Sequence, residues 1–282
     1  MTMITTITKS VFERVLPIGT SSNDNVFEMV LPEVESQLSI LNAGLLGDAG
    51  VRLMDSAGTD GIIYYNYIRL AVSTAFAAVM RQLDLVLTPT GFGVVSNENV
   101  SPASKQRVDA LEGQLRKNEY ISRAMVLMLL RSEEWGDTRQ AVVNIPYMFD
   151  EYDFFVLQRS SMSGDVDEWV RIQRLIRDAD RQLRMKISDS QMDVLMSAYR
   201  KSGDSLLKYK TVISYIKDFV YGWCYGGQAY AMGYPLRKII STMEQPSAAE
   251  SYREYLSSDE YNLNHHENFQ NSKDSSAFLF NG

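Results

Sequence analysis

The chain has 282 residues, 45% hydrophobic and 22% charged, a composition that belongs to folded globular proteins and admits one large or two small domains. Its formal net charge of −7 argues against a broad surface for nucleic acid or anionic lipid, since both need concentrated positive charge. A single cysteine, Cys224, excludes an intramolecular disulfide framework and is expected to be a small buried hydrophobe in a reducing compartment.

Residues 1–25, rich in Thr, Ser and Asn, read as an extended N-terminal arm with neither the basic leader nor the apolar core of a secretory signal, so export is not expected. Residues 26–135 read as a helical domain. Within it, a helical pattern runs from Val26 to Leu46, where Pro32, Glu33 and Glu35 suit a helix start and Gly44 and Gly47 suit its end. Residues 55–61 form a turn, and a long helix follows on which Ile68, Val72, Ala75, Val79, Leu83 and Val86 recur at steps of three and four. Around residues 85–95 that period breaks, and β-branched residues flank Pro89, Gly91 and Gly93, which predicts a hairpin-like projection. Ser101-Pro102 opens the next helix, with Val108, Leu111 and Leu115 on its apolar edge, and a second helix over 118–134 carries the apolar run Ala124–Leu130.

Residues 136–165, with Gly136, Pro146, Gly164 and several aromatics, read as a connecting segment. A second helical unit over 166–245 begins with the stripe Trp169, Ile172, Ile176, Ala179 and Leu183, restarts at Ser188-Asp189, and continues through Ile213, Ile216, Val220 and Trp223. Residues 246–282 form an acidic polar tail. The expected fold is therefore mainly α: a helical bundle with a short β-hairpin-like insertion near residues 85–95 and extended termini. The two halves share the order amphipathic helix, short helix near Leu53 or Met196, long helix, which suggests a duplication. No run approaches about 18 uninterrupted apolar residues, so a membrane-spanning helix is not expected.

Chemistry-bearing residues are few. His265 and His266 sit in the polar tail, far from Cys224, and neither a nucleophilic triad nor a zinc site follows from them. Gly91-Phe92-Gly93 lacks the third glycine and the following helix of a phosphate loop. Asp165, Asp167 and Glu168, and likewise Asp55 and Asp60, suit helix capping better than a calcium loop. Glu133-Glu134 and Asp150-Glu151-Asp153 read as surface acids. No catalytic residue, cofactor or metal is expected.

Two patterns stand out as interface candidates. Arg171, Arg174, Arg177, Arg181 and Arg184 fall on one broad helical arc, either a salt-paired solvated face, a contact for acids of another subunit, or a nucleic-acid backbone contact, in that order. Tyr221 and Tyr225 alternate with Gly222, Gly226 and Gly227, where absent side chains permit close helix packing or a subunit contact. Phe92, at the bent tip of the expected hairpin, has too few local neighbours to be buried by its own strands and is a third candidate.

The order Leu38–Leu46 leading to Gly47, a long helix through Leu87, Thr90-Gly91-Phe92-Gly93-Val94-Val95, then Ala103–Trp135 resembles the helical neck or head–tail connector ring proteins of tailed phages, including crAss-like phages of gut bacteria. The stretches Tyr147–Arg159 and Trp169–Leu183 look similar too. This resemblance covers about two-thirds of the chain and rests on element order. It implies a non-enzymatic ring subunit, made in the host cytoplasm and built into the virion, whose partners are copies of itself and portal and tail or neck proteins, with DNA passing nearby but not specifically bound. The alternative is a stand-alone regulatory or nucleic-acid-binding helical protein that uses the arginine face.

Overall fold

A computed structural model of the chain describes residues 3–16, 24–83, 85–88, 91–94, 104–157 and 164–265. Among the described residues of the 1–25 stretch, the chain is not extended throughout. Lys9–Val15 form a helix (α1) capped by the Thr8 hydroxyl, which accepts from the Val11 N–H. Phe12, Val15 and Leu16 lie three and four positions apart, a helical stripe, and all are buried, with the Phe12 ring 5.5 Å from that of Phe27.

Asp24–Leu41 (α2) runs through Pro32 rather than starting there. The lost amide hydrogen bond is tolerated because Val30, Val34 and Leu38, at steps of four, bury one face completely. A π-helical turn at Asn42–Leu46 follows, and Gly47, at φ +58, redirects the chain into Gly47–Ala57 (α3). Ile62–Val79 (α4) is the hub of this half, packing on α1, α2 and α3, with Ile68, Val72 and Ala75 buried as the spacing predicts. With the turn after it, α4 is long and apolar enough to cross a membrane by length and composition, but more than half of that window is buried within the bundle.

Leu85–Thr88 (β1) and Gly91–Val94 (β2) pair antiparallel, Leu85 opposite Val94 and Leu87 opposite Phe92. The remainder of the 85–95 insertion, with the Phe92 side chain, lies outside what is described, as does Ser101-Pro102. Where two helices are expected next, there is one of 26 residues, Lys105–Leu130 (α5), lying along α4. Gly113 does not interrupt it, and Leu115, Asn118, Ser122 and Val126 continue a single buried stripe.

The expected connecting segment is instead the seam of the molecule. With the short helices Glu133–Gly136 (α6) and Arg139–Asn144 (α7) and a π-helical turn at Tyr152–Val156, residues 133–156 bury Trp135, Ile145, Met148, Phe149, Phe154 and Phe155. The aromatics responsible outweigh Gly136 and Pro146, because large apolar side chains lower the free energy more by burial than the turn residues raise it. Phe155 stacks on Tyr120 of α5 at 5.1 Å, and Phe154 lies 5.3 Å from Trp169 of the following helix.

That helix is Val166–Ile187 (α8), N-capped by the Asp165 carboxylate, and it leads to Asp189–Tyr199 (α9) and Asp204–Tyr221 (α10). Both α3 and α9 have 11 residues and both α4 and α10 have 18, although the helices that precede them, α2 and α8, differ at 18 and 22. A third π-helical turn, Gly222–Gly226, and Gly227 at φ +85 lead into Gln228–Met243 (α11), which packs on α10. The region after Pro246 is not wholly a tail: Arg253–Leu256 (α12) and Asp259–Asn264 (α13) dock on α9 and α8. Tyr252 and Tyr255 drive this, both buried, with the Tyr255 hydroxyl donating to Glu244 at 3.0 Å. His265 is not simply solvated, since its ring stacks on Tyr261 at 4.2 Å and its Nε2 is 3.3 Å from Glu244. Residues 266–282, including His266, lie outside the described residues.

Candidate functional site

The segment 147–156 carries acids among aromatics, and burying the aromatics drags the acids inward. Asp153 is fully buried and Glu151 is 7% exposed, so neither belongs to the surface set expected for Asp150-Glu151-Asp153. Buried carboxylates need partners, and helices from both halves supply them. Arg131, just past α5, pairs with Asp150. Lys217 of α10 places its Nζ 2.7 Å from Asp153 Oδ2. Between them the Tyr199 hydroxyl, from the end of α9, donates to Asp150 Oδ2 at 3.0 Å and lies 3.3 Å from Asp153 Oδ2. The Arg131 guanidinium lies over the Tyr199 ring at 4.1 Å and the Lys217 ammonium at 4.7 Å, so one tyrosine separates two cations while its hydroxyl serves two anions. Asp150 also accepts the Tyr152 and Asp153 N–H groups, fixing the local turn.

Burial raises the Tyr199 phenol well above its usual range, which keeps it a neutral donor. It also lowers the Lys217 ammonium, against the attraction of Asp153 and Asp150. Glu151 is pushed up to about 7 by burial, with Arg123 opposing and Asp150 reinforcing the shift. Arg123, from α5, pairs with Glu151 and donates to the Asn144 Oδ1 at 3.0 Å.

Glu151 and Arg123 line a cleft of about 490 Å³ between residues 143–151 and α8, whose walls include Leu127, Phe149, Trp169 and Ile176 and whose rim carries Arg174 and Arg177. The cleft combines apolar walls with guanidinium donors, the makeup of a site for a group that is partly apolar and partly anionic. Its carboxylates are held by arginines, and among the described residues no group of three or more His, Cys, Asp or Glu is arranged to hold a metal ion.

The arginine arc does not act as one set. Arg171 is bidentate to Glu168, its Nε and Nη2 each 2.7 Å from a carboxylate oxygen, and this pairing, aided by a Tyr225 hydrogen bond, lowers the Glu168 pKa. Arg184 joins Asp180, Asp189 and Asp193. Arg174, Arg177 and Arg181 remain exposed and make no ion pair among the described residues. Tyr221 is 38% exposed and its ring lies 5.1 Å from that of Tyr225. Cys224 is partly buried, and burial pushes its thiol up to about 12. As capping predicts, Asp165 accepts from the Asp167 and Glu168 N–H groups. Sequence reasoning missed Arg123, Arg131, Tyr199 and Lys217; the available signal was a run of acids placed inside four aromatics, Tyr147, Phe149, Phe154 and Phe155.

No curated protein and no solved structure matches the chain. Residues 49–145, about a third of the chain, from α3 to the residue after α7 and including β1 and β2, are similar to a family described as a family of unknown function (DUF6712).

Proposed function

We propose that the chain is a non-enzymatic structural subunit of a virus particle, a head–tail connector or neck ring protein that assembles with copies of itself and with portal and tail proteins. The observation that carries the reading is the pair of long, mutually packed helices α4 and α5 joined through the antiparallel strands β1 and β2, the same order of elements that resembles neck proteins. In this reading the insertion projects from the bundle and Phe92 anchors it in a groove of the neighbouring subunit. Exposed tyrosines support a contact surface as well: Tyr221, Tyr230 and Tyr234 present large rigid rings that cover area at little entropy cost. The buried seam adds rigidity, since its charges are consumed by internal pairing.

Mass spectrometry of purified particles tests the reading directly, with the chain expected at a stoichiometry matching a ring. Phe92→Ala should leave the monomer's thermal unfolding nearly unchanged while reducing incorporation. Should it instead cost roughly 3–5 kcal/mol of stability, Phe92 docks on its own body and the subunit-contact role fails. The regulatory, nucleic-acid-binding alternative draws on the exposed Arg174, Arg177 and Arg181; tight duplex binding that weakens steeply with salt would favour it over the ring.

A further inference from the structure

The face of α8 that lines the cleft mixes apolar and cationic side chains. Val170, Gln173, Arg174 and Arg177 fall at i, i+3, i+4 and i+7, so the helical period aligns them, and all four line the cleft. Val143, Pro146 and Tyr147 line its other side. Val143 and Val170 are 65% and 52% exposed, so both sides offer apolar surface to whatever enters.

The charges of the cleft are unequally paired. Arg123 is held by Glu151 and Asn144, and Asp150 by Arg131 and Tyr199. Arg174 and Arg177 make no ion pair among the described residues, and Asp178, one turn beyond Arg174, does not line the cleft. Two guanidiniums are thus left over beside apolar walls. Two further polar atoms of lining residues, Glu151 Oε2 and Trp169 Nε1, are buried with no hydrogen-bond partner. Folded proteins carry few such atoms, and a bound molecule is one source of the missing partner.

These features select a class of ligand. Guanidiniums hold a carboxylate through parallel N–H donors. The carboxylates of Asp150 and Glu151, which also line the cleft, oppose a second negative charge and so favour a monoanion over a phosphate dianion. Tyr147, Phe149 and Trp169 suit an aromatic body, and a volume of about 490 Å³ suits a small molecule.

We propose that the cleft binds a small aromatic carboxylate, its carboxylate on Arg174 and Arg177 and its ring between Val143, Val170 and the aromatic wall. Binding is read on the isolated chain, so this inference goes beyond the ring-subunit reading and the two fail independently.

The test titrates the full-length chain with cinnamate by calorimetry. Saturable one-to-one binding is expected, with a dissociation constant between about 10 µM and 1 mM for a ligand of this size. The neutral amide of cinnamate should bind at least about tenfold more weakly, and inorganic phosphate at the same concentration should not displace the carboxylate. Arg174→Gln with Arg177→Gln should weaken binding about tenfold or more while leaving the urea midpoint unchanged, since both side chains are exposed. Arg181→Gln, on the same arc but outside the cleft, should bind as the parent does. Hydrogen exchange should slow on binding in residues 143–151 and 166–177. No binding of cinnamate, equal binding of its amide, displacement by phosphate, equal loss in Arg181→Gln, or protection elsewhere would each overturn the proposal.

Discussion

Lys217 Nζ and Asp153 Oδ2 are 2.7 Å apart where α10 meets the seam segment, and the carboxylate is completely buried. A pair so placed contributes little net stability when intact, because desolvation offsets attraction, but removing one member leaves an uncompensated charge in a dry site. Lys217→Met is therefore expected to cost about 3–5 kcal/mol, read as a shift in the urea midpoint, and Asp153→Asn somewhat less because the amide retains hydrogen bonds. The double variant Lys217→Met/Asp153→Leu should recover most of the loss. Equal losses in single and double variants would show that the site is not governed by charge.

Glu151 makes stability depend on pH in the opposite sense to an ordinary paired acid. Its folded pKa, raised to about 7 by burial despite Arg123, exceeds the 4.5 of an ordinary glutamate, so the folded state binds the extra proton between those values. Stability is thus expected to fall as pH rises from about 4.5 to 7 and then to level off, by an amount on the order of 3 kcal/mol before other groups are counted. Glu151→Gln should flatten that slope, measured by denaturant unfolding at half-unit pH steps. An unchanged slope in the variant would assign the dependence to other groups.

Trp135 joins the seam to the first π-helical turn. Its indole Nε1 donates to the Leu45 and Leu46 carbonyls at 3.2 and 3.1 Å, while Gln140 and Asn144 serve the carbonyls of Ala43 and Gly44. A π-helical turn displaces carbonyls from their ordinary partners, and these side chains satisfy them. Trp135→Phe, which keeps an aromatic body but removes the donor, should cost about 1–3 kcal/mol, and Trp135→Ala about 3–5 kcal/mol, in thermal or urea unfolding. A Phe variant as stable as the parent would mean that water replaces the indole.

Gly136 of α6 lies against the backbone just past the end of α9. A Cβ there would sit 2.8 Å from the Arg200 carbonyl oxygen and 2.6 Å from Lys201 Cγ. Lysine carbon can swing away but the backbone oxygen cannot, so Gly136→Ala is expected to destabilise by about 1–3 kcal/mol, whereas Gly113→Ala, into open space within α5, should stabilise by about 0.5–1 kcal/mol. Comparing the two unfolding curves separates backbone crowding from the general effect of replacing glycine.

What the sequence determined by itself was the helical character and the identity of most core faces. Stripes such as Ile68, Val72 and Ala75, or Ile172, Ile176, Ala179 and Leu183, repeat with the helical period, and that period survives any arrangement of the helices. Turn chemistry was legible for the same reason at Gly47 and Asp165, where backbone geometry and a cap depend on neighbours in sequence. Only the tertiary structure decided which polar residues matter. Asp150, Glu151 and Asp153 look like surface acids until Arg123, Arg131, Tyr199 and Lys217 arrive from three other helices, between 19 and 64 positions away. Likewise, the five arginines of α8 share an arc by periodicity, yet two are drawn into pairs and two line a cleft because of what packs beside them. Local order is written in short-range spacing, whereas the free energy of a buried charge depends on partners that only folding brings within about 3 Å.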